Sequence, residues 1–182
     1  TGLEGKKGAL WWQIRDVLEK IKSPFVLLEN VDRLLKSPKP QRGRDFGVML
    51  ACFSKLNYSV EWCVINAADY GAAQRRRRTF IFAYKNDTNY ANTMNINLEK
   101  ILGSKGFFPT TFPVDSIDKI ETIKLNCKDI SDVSDKFKFN FKNSGYMKDG
   151  IVYTAKVTPE YETPIPLVKI LETNVADSYY IG

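Results

Sequence analysis

Glu29 and Asn30 follow directly on four apolar residues, Phe25-Val-Leu-Leu28, and four consecutive arginines occupy positions 75–78. A carboxylate at the end of an apolar run needs a partner, because an unpaired buried charge is costly. One reading is that Glu29 pairs with an arginine and only holds the fold. The other is that it meets a ligand, since open α/β sheets place ligands beyond the carboxyl ends of their strands. Guanidinium groups suit phosphate oxygens or a base carbonyl, because their fork of donors matches those acceptors. An arginine run can also be a processing signal or solvated surface, but here an apolar strand and Asn66-Ala-Ala-Asp-Tyr-Gly71 flank it. The chain has no histidine, which removes Ser-His and Cys-His nucleophile pairs and the commonest zinc ligand. Cys52, Cys63 and Cys127 have no metal-like spacing and read as reduced thiols. No metal is expected.

The elements that must carry these residues follow from periodicity. Phe25–Val31, bounded by Pro24 and by Asp32-Arg33, reads as a strand buried on both faces of a parallel sheet, with Glu29 and Asn30 at its carboxyl end. Leu10, Ile14, Val17, Leu18 and Ile21 recur at helical spacing before it, and Trp11 and Trp12 widen that face. Residues 34–44, rich in Pro and basic side chains, read as an exposed loop. Phe46, Met49, Leu50, Phe53 and Leu56 mark a second helix ending near Asn57.

Tyr58–Ile65 alternates Val60, Trp62 and Val64 with Ser59, Glu61 and Cys63, the pattern of a half-buried strand. Arg78–Tyr84 alternates in the same way. The link between these two is too short for a crossover helix, which predicts antiparallel neighbours. Alternation also puts Arg76 and Arg78 on one side and Arg75 and Arg77 on the other.

An Asn-rich stretch after Lys85 suggests a boundary. Beyond it, strands are expected at Lys136–Phe141, Tyr146–Lys148 and Ile151–Val157, with a hairpin turn at Asp149-Gly150. Leu167, Ile170 and Leu171 suggest a short helix.

At 182 residues, 43% hydrophobic and 26% charged, the chain can bury a core. It has no apolar run of bilayer length and no signal-peptide pattern, and a cytoplasmic protein is expected. The net charge of +6 is uneven: residues 1–90 carry 16 Lys and Arg against 9 Asp and Glu, and residues 91–182 carry 11 against 12. A basic front half suits a polyanion such as nucleic acid, although such an excess also simply aids solubility.

In this order, Glu29-Asn30-Val31, Asn66-Ala-Ala-Asp-Tyr-Gly71 and Gln74-Arg-Arg-Arg-Arg-Thr-Phe80 resemble the Glu-Asn-Val and Gln-x-Arg-x-Arg motifs of the DNA (cytosine-5)-methyltransferase family. Gly8-Ala-Leu10-Trp-Trp resembles the segment that helps wall that family's cofactor site. Asn143-Ser-Gly-Tyr-Met147, Tyr153-Thr-Ala-Lys156 and Tyr179-Tyr180 look like target-recognition segments of bacterial members. The resemblance covers nearly the whole chain. It implies an α/β fold: residues 1–86 form the second half of a Rossmann-like S-adenosylmethionine-dependent sheet, and residues 87–182 part of a smaller, irregular, mostly-β target-recognition module.

It further implies an enzyme that flips a cytosine from double-stranded DNA and, through a cysteine thiolate at C6, moves a methyl group from S-adenosylmethionine to C5. Glu29 would hold the N3 and amino edge of the base, and Arg78 its O2. Arg76 would meet a phosphate, with Arg75 also toward DNA. Gln74 and Asn30 would shape the loop and strand end, and Leu10 would pack on the cofactor. The family's Pro-Cys dipeptide and Gly-rich cofactor loop are missing, so the chain looks like the middle of a restriction–modification or orphan enzyme, monomeric when full length and inactive as this piece. A non-catalytic DNA-binding paralogue and a tRNA-directed relative are the alternatives.

Overall fold

A computed structural model describes residues 9–127, 130–173 and 175–179; Gly8 and Tyr180 of the motif segments lie outside them. Helix α1 (Ala9–Ile21) leads through Pro24 into strand β1 (Phe25–Val31). A 3-10 turn (Asp32–Lys36) and helix α2 (Arg44–Lys55) follow. Strand β2 (Tyr58–Asn66) then returns through a 3-10 turn (Ala67–Tyr70) to β3 (Arg77–Lys85). Next come the short helices α3 (Asn89–Thr93) and α4 (Leu98–Lys100), the latter running into a π-helical turn. Strands β4 (Val114–Ile117) and β5 (Glu121–Lys124), helix α5 (Ile130–Lys136), and strands β6 (Ser144–Lys148), β7 (Ile151–Ala155) and β8 (Val157–Pro159) complete the order.

Six strands form one sheet in the order β1-β3-β2-β6-β7-β5, and β4 pairs with β8 in a second. The fold is thus α/β, but every pairing among the described residues is antiparallel. That corrects the parallel sheet expected around residues 25–31. β1 and β2 do run in the same direction, but β3 lies between them, antiparallel to both. β1 is an edge strand among the described residues, with Phe25, Leu27 and Val31 exposed. An apolar run reads the same whether or not this chain covers both its faces.

One face of the sheet packs against α1 and α2. Trp11, Leu18, Phe46, Leu50 and Phe53 meet Val60, Trp62, Ile81 and Ala83 there. Of the predicted α1 face, Trp11 and Leu18 are buried as expected, while Leu10, Val17 and Ile21 are exposed. α2 ends as predicted, with Asn57 at positive φ. The segment before it is not simply an exposed loop: Leu34 and Leu35 are buried, and buried Asp45 accepts from Ser37 Oγ at 2.7 Å while pairing with Arg44 at 3.0 Å.

The opposite face corrects the half-buried reading of β2. Cys63, Ile65, Phe82, Tyr84 and Tyr146 lie under Ala91, Met94, Ile101, Leu102 and Phe108, so Ser59 and Glu61 are buried as well. The Asn-rich stretch supplies Ala91 and Met94 of these lids, with Thr88 and Asn97 capping α3 and α4 by accepting from the Ala91 and Lys100 amides. The β6–β7 hairpin turns at Asp149-Gly150 as predicted, both residues at positive φ, and β6 pairs directly with β2.

Lys136–Phe141 is not a strand beyond the end of α5. Phe137, Phe139 and Phe141 instead pack irregularly against the α2 core. The predicted strand Ile151–Val157 breaks at Lys156, so Val157 joins the two-stranded sheet. The expected helix near Leu167 is one 3-10 turn, Leu167–Lys169, with exposed side chains.

Glu61 ties the two halves of the chain together. Its Oε1 accepts from Tyr90 Oη at 3.1 Å and its Oε2 from the Phe107 amide at 2.7 Å. Burial, only partly offset by these donors and by Tyr84, pushes its carboxyl up to about 7. The folded protein therefore holds this proton more tightly than the unfolded chain does. Its stability falls as pH rises from the ordinary carboxylate range through about 7. Urea midpoints measured across that range should decline for the wild type and lose this part of their slope in Glu61→Gln; equal slopes would show that Glu61 ionises freely.

Candidate active site

The register of β1 against β3 sets the site. Glu29 lies opposite Phe80 and Val31 opposite Arg78, so Glu29 and Arg78 are diagonal neighbours on one face. The Arg78 Nε sits 2.7 Å from Glu29 Oε1, and an Nη of Arg76 reaches the same oxygen at 3.4 Å. The other end of the Arg78 guanidinium is fixed as well, Nη1 donating to the Arg77 carbonyl at 2.8 Å. The Glu29 side chain is 45% exposed and that of Arg78 26%, so the cluster sits at the surface. Glu29 is thus paired with arginine, but at the surface and not as the buried charge expected at the end of an apolar run.

Arg77 turns to the other side and pairs with Asp32 at 3.4 Å. Arg75 is exposed and makes no ion pair among the described residues. Gln74 is exposed too, and its carbonyl accepts from the Arg76 amide at 3.1 Å. Asn30 faces away from Glu29, and its Oδ1 accepts from the Val31 amide at 2.8 Å.

A cavity of about 650 Å³ opens beside the strand end, with Leu10, Trp11, Ile14 and Leu28 as an apolar wall and Glu29 and Asn30 at its polar side. Leu10 is 59% exposed there. The structure thus brings together Glu29, Arg76 and Arg78, with Leu10 and Asn30 on the adjoining cavity, and leaves Gln74 and Arg75 outward. Sequence reasoning gave no part to Asp32, although it follows Glu29-Asn30-Val31 directly, nor to Tyr70.

Chemically, the cluster offers a carboxylate acceptor beside guanidinium donors. That pattern complements a planar edge carrying an amino group and a carbonyl. Two of the three thiols, Cys52 and Cys63, are buried and offer little nucleophilicity here. Burial raises Cys52, and it pushes Cys63 up to about 12, the reverse of an activated thiolate. Among the described residues, no cluster of three or more His, Cys, Asp or Glu could hold a metal, and no helix is long and apolar enough to cross a membrane.

Fold and cluster together define an α/β domain that presents a carboxylate held by two guanidiniums at a strand end. The profile of the C-5 cytosine-specific DNA methylases matches residues 1–180, and the chain belongs to that family. It is 49% identical over 184 residues to the Type II methyltransferase M.Sau3AI of Staphylococcus aureus, an alignment covering 100% of this chain and 45% of that protein. M.NlaIV of Neisseria lactamica is 33% identical over 110 residues, 57% of this chain and 26% of the relative. M.HhaI of Haemophilus parahaemolyticus is 31% identical over 91 residues, 50% and 27% respectively. The chain therefore spans less than half the length of these relatives.

Because the Glu29 pairs are half exposed, they add little to stability. Glu29→Gln should shift unfolding free energy by no more than about 0.5 kcal/mol. A loss of several kcal/mol in urea titration would mean that the cluster is a structural pin.

Proposed function

We propose that this chain is the middle portion of a bacterial DNA (cytosine-5)-methyltransferase, a cytoplasmic and monomeric enzyme of a restriction–modification or orphan system acting on double-stranded DNA. The 2.7 Å approach of Arg78 to Glu29 carries the reading. Residues 1–86 supply the second half of a Rossmann-like catalytic sheet, a reading supported by β1 and β2 running in the same direction on either side of β3. Residues 87–182 supply part of the target-recognition region.

Glu29 accepts from the amino edge of an extruded cytosine and favours a proton at N3 while a thiolate from elsewhere in the parent protein adds at C6. Arg78 donates to O2. Without a base both guanidiniums rest on Glu29, so a bound base replaces one set of hydrogen bonds with another and leaves neither charged group without a partner. Arg76 then turns to a phosphate, with Arg75 beside it on the outer side. Gln74 and Asn30 hold the loop and the strand end. S-adenosylmethionine supplies the methyl group, and the apolar wall with polar groups at one side fits a nucleoside-type cofactor, with Leu10 packing on it.

Methyl transfer by the intact protein to plasmid DNA, compared with tRNA, tests the substrate class; transfer to tRNA alone would overturn it. Arg78→Ala should lower turnover by about a hundredfold or more while duplex binding is partly retained. Arg76→Ala should chiefly weaken binding and reduce the slope of log K against log salt by about 1. Wild-type turnover in Arg78→Ala would rule out the base contact.

A further inference from the structure

The 3-10 turn that delivers the arginines is held from two directions by one piece of the second half of the chain. The Tyr70 ring meets Phe112 at 5.1 Å and 69°, and its hydroxyl donates to the Pro113 carbonyl at 3.4 Å. The Glu162 amide donates to the Asp69 carbonyl at 3.0 Å. The Glu162 carboxylate also covers Gly71, where a Cβ would stand 2.7 Å from Oε2. Phe112 and Pro113 lead into β4, and residues 160–162 leave β8. The Glu160 amide donates to the Pro113 carbonyl at 2.9 Å, closing these two segments on each other. The two-stranded sheet β4–β8 thus grips the turn as a unit.

The turn is tied in its own right to the arginines. The Ala67 amide donates to the Arg76 carbonyl at 3.1 Å, and the Ala72 amide donates to the Ala67 carbonyl at 3.1 Å. Asn66 Nδ2 donates to Asp69 Oδ1 at 2.8 Å, and Asn66 lies opposite Arg77 in the β2–β3 register. A shift of β4–β8 is therefore delivered through Tyr70 and Asp69 to the backbone of Arg76, two residues from Arg78, and so to both guanidiniums on Glu29.

We propose that Tyr70 is a positioning residue through which the β4–β8 sheet sets the placement of Arg78 on the base. This rests on the reading of Glu29 and Arg78 as the base grip. At 3.4 Å the hydroxyl bond is weak, so the ring contact with Phe112 carries the coupling. Tyr70→Phe therefore keeps the function and Tyr70→Ala loses it.

The test uses the intact methyltransferase with Tyr70→Ala, Tyr70→Phe and Phe112→Ala, the Tyr70→Ala/Phe112→Ala double, and Tyr70→Ala combined with Arg78→Ala. Single-turnover methyl transfer, duplex affinity at fixed salt and fluorescence of 2-aminopurine at the target position are read for each. Tyr70→Ala is expected to slow transfer about ten- to a hundredfold with duplex affinity nearly unchanged, and Tyr70→Phe to restore the rate. The Tyr70→Ala/Phe112→Ala double should cost no more than either single change. In the Arg78→Ala background Tyr70→Ala should add little further loss.

An equal loss from Tyr70→Ala with and without Arg78 would overturn the coupling while leaving the base grip standing. So would a loss confined to duplex affinity, or none at all. Wild-type turnover in Arg78→Ala would overturn both. If Tyr70→Ala does not fold, Phe112→Ala breaks the same contact from the other side and is read by the same criteria.

Discussion

One carboxylate oxygen shared by two guanidiniums depends on nearly everything else in this protein. Glu29 Oε1 receives both Arg76 and Arg78 only because β3 returns antiparallel beside β1 in a register that places Val31 opposite Arg78. Slipping that register by one residue would send Arg78 to the far face and leave Glu29 beside Thr79. Such an exposed pair contributes little stability, so the core does not need it. Its placement at the rim leaves it exchangeable: a deeply buried pair would be held too firmly to open for a ligand, and a fully solvated one would be too loosely held to aim.

The sheet behind the pair is rigid because β2 is covered on both faces. On one side Trp62 packs edge-on against Phe46 at 5.1 Å. On the other, Glu61 holds α3 through Tyr90 and the following loop through the Phe107 amide, while the Phe107 ring stacks on Phe82 at 3.9 Å. The price of burying a carboxylate is met by these donors and by a raised proton affinity. The segment after Lys85 is therefore built onto the sheet, and β6 extends the same sheet past β2.

How far the sequence reveals this differs from residue to residue. α2, the β2–β3 return and the Asp149-Gly150 hairpin are local, set by periodicity, a short link and turn chemistry, and they form where those signals lie. The meeting of Glu29 with Arg78 was legible because two short motifs each fixed one strand end. The edge position of β1 was not, since Phe25-Val-Leu-Leu28 carries no mark of which neighbours this chain provides. Glu61 reads as solvent-facing because strict alternation cannot show a tyrosine and an amide arriving from 29 and 46 residues away. Phe137, Phe139 and Phe141 alternate as a strand does, but they serve as irregular packing against α2.

The arginine run also shows why a count of charges misleads. Of four consecutive guanidiniums, two share Glu29 and one rests on Asp32, so two acids of the same strand end engage three of them. The segment is then much less of a free polycation than its composition suggests, and Arg75 alone stands ready for a distant anion. In the proposed function, a phosphate that takes Arg76 must draw it from Glu29, which lowers the competition for that carboxylate just as a base edge would need it. Under the proposed function the two exchanges, Arg76 to a phosphate and Glu29 to a base, are linked by charge balance.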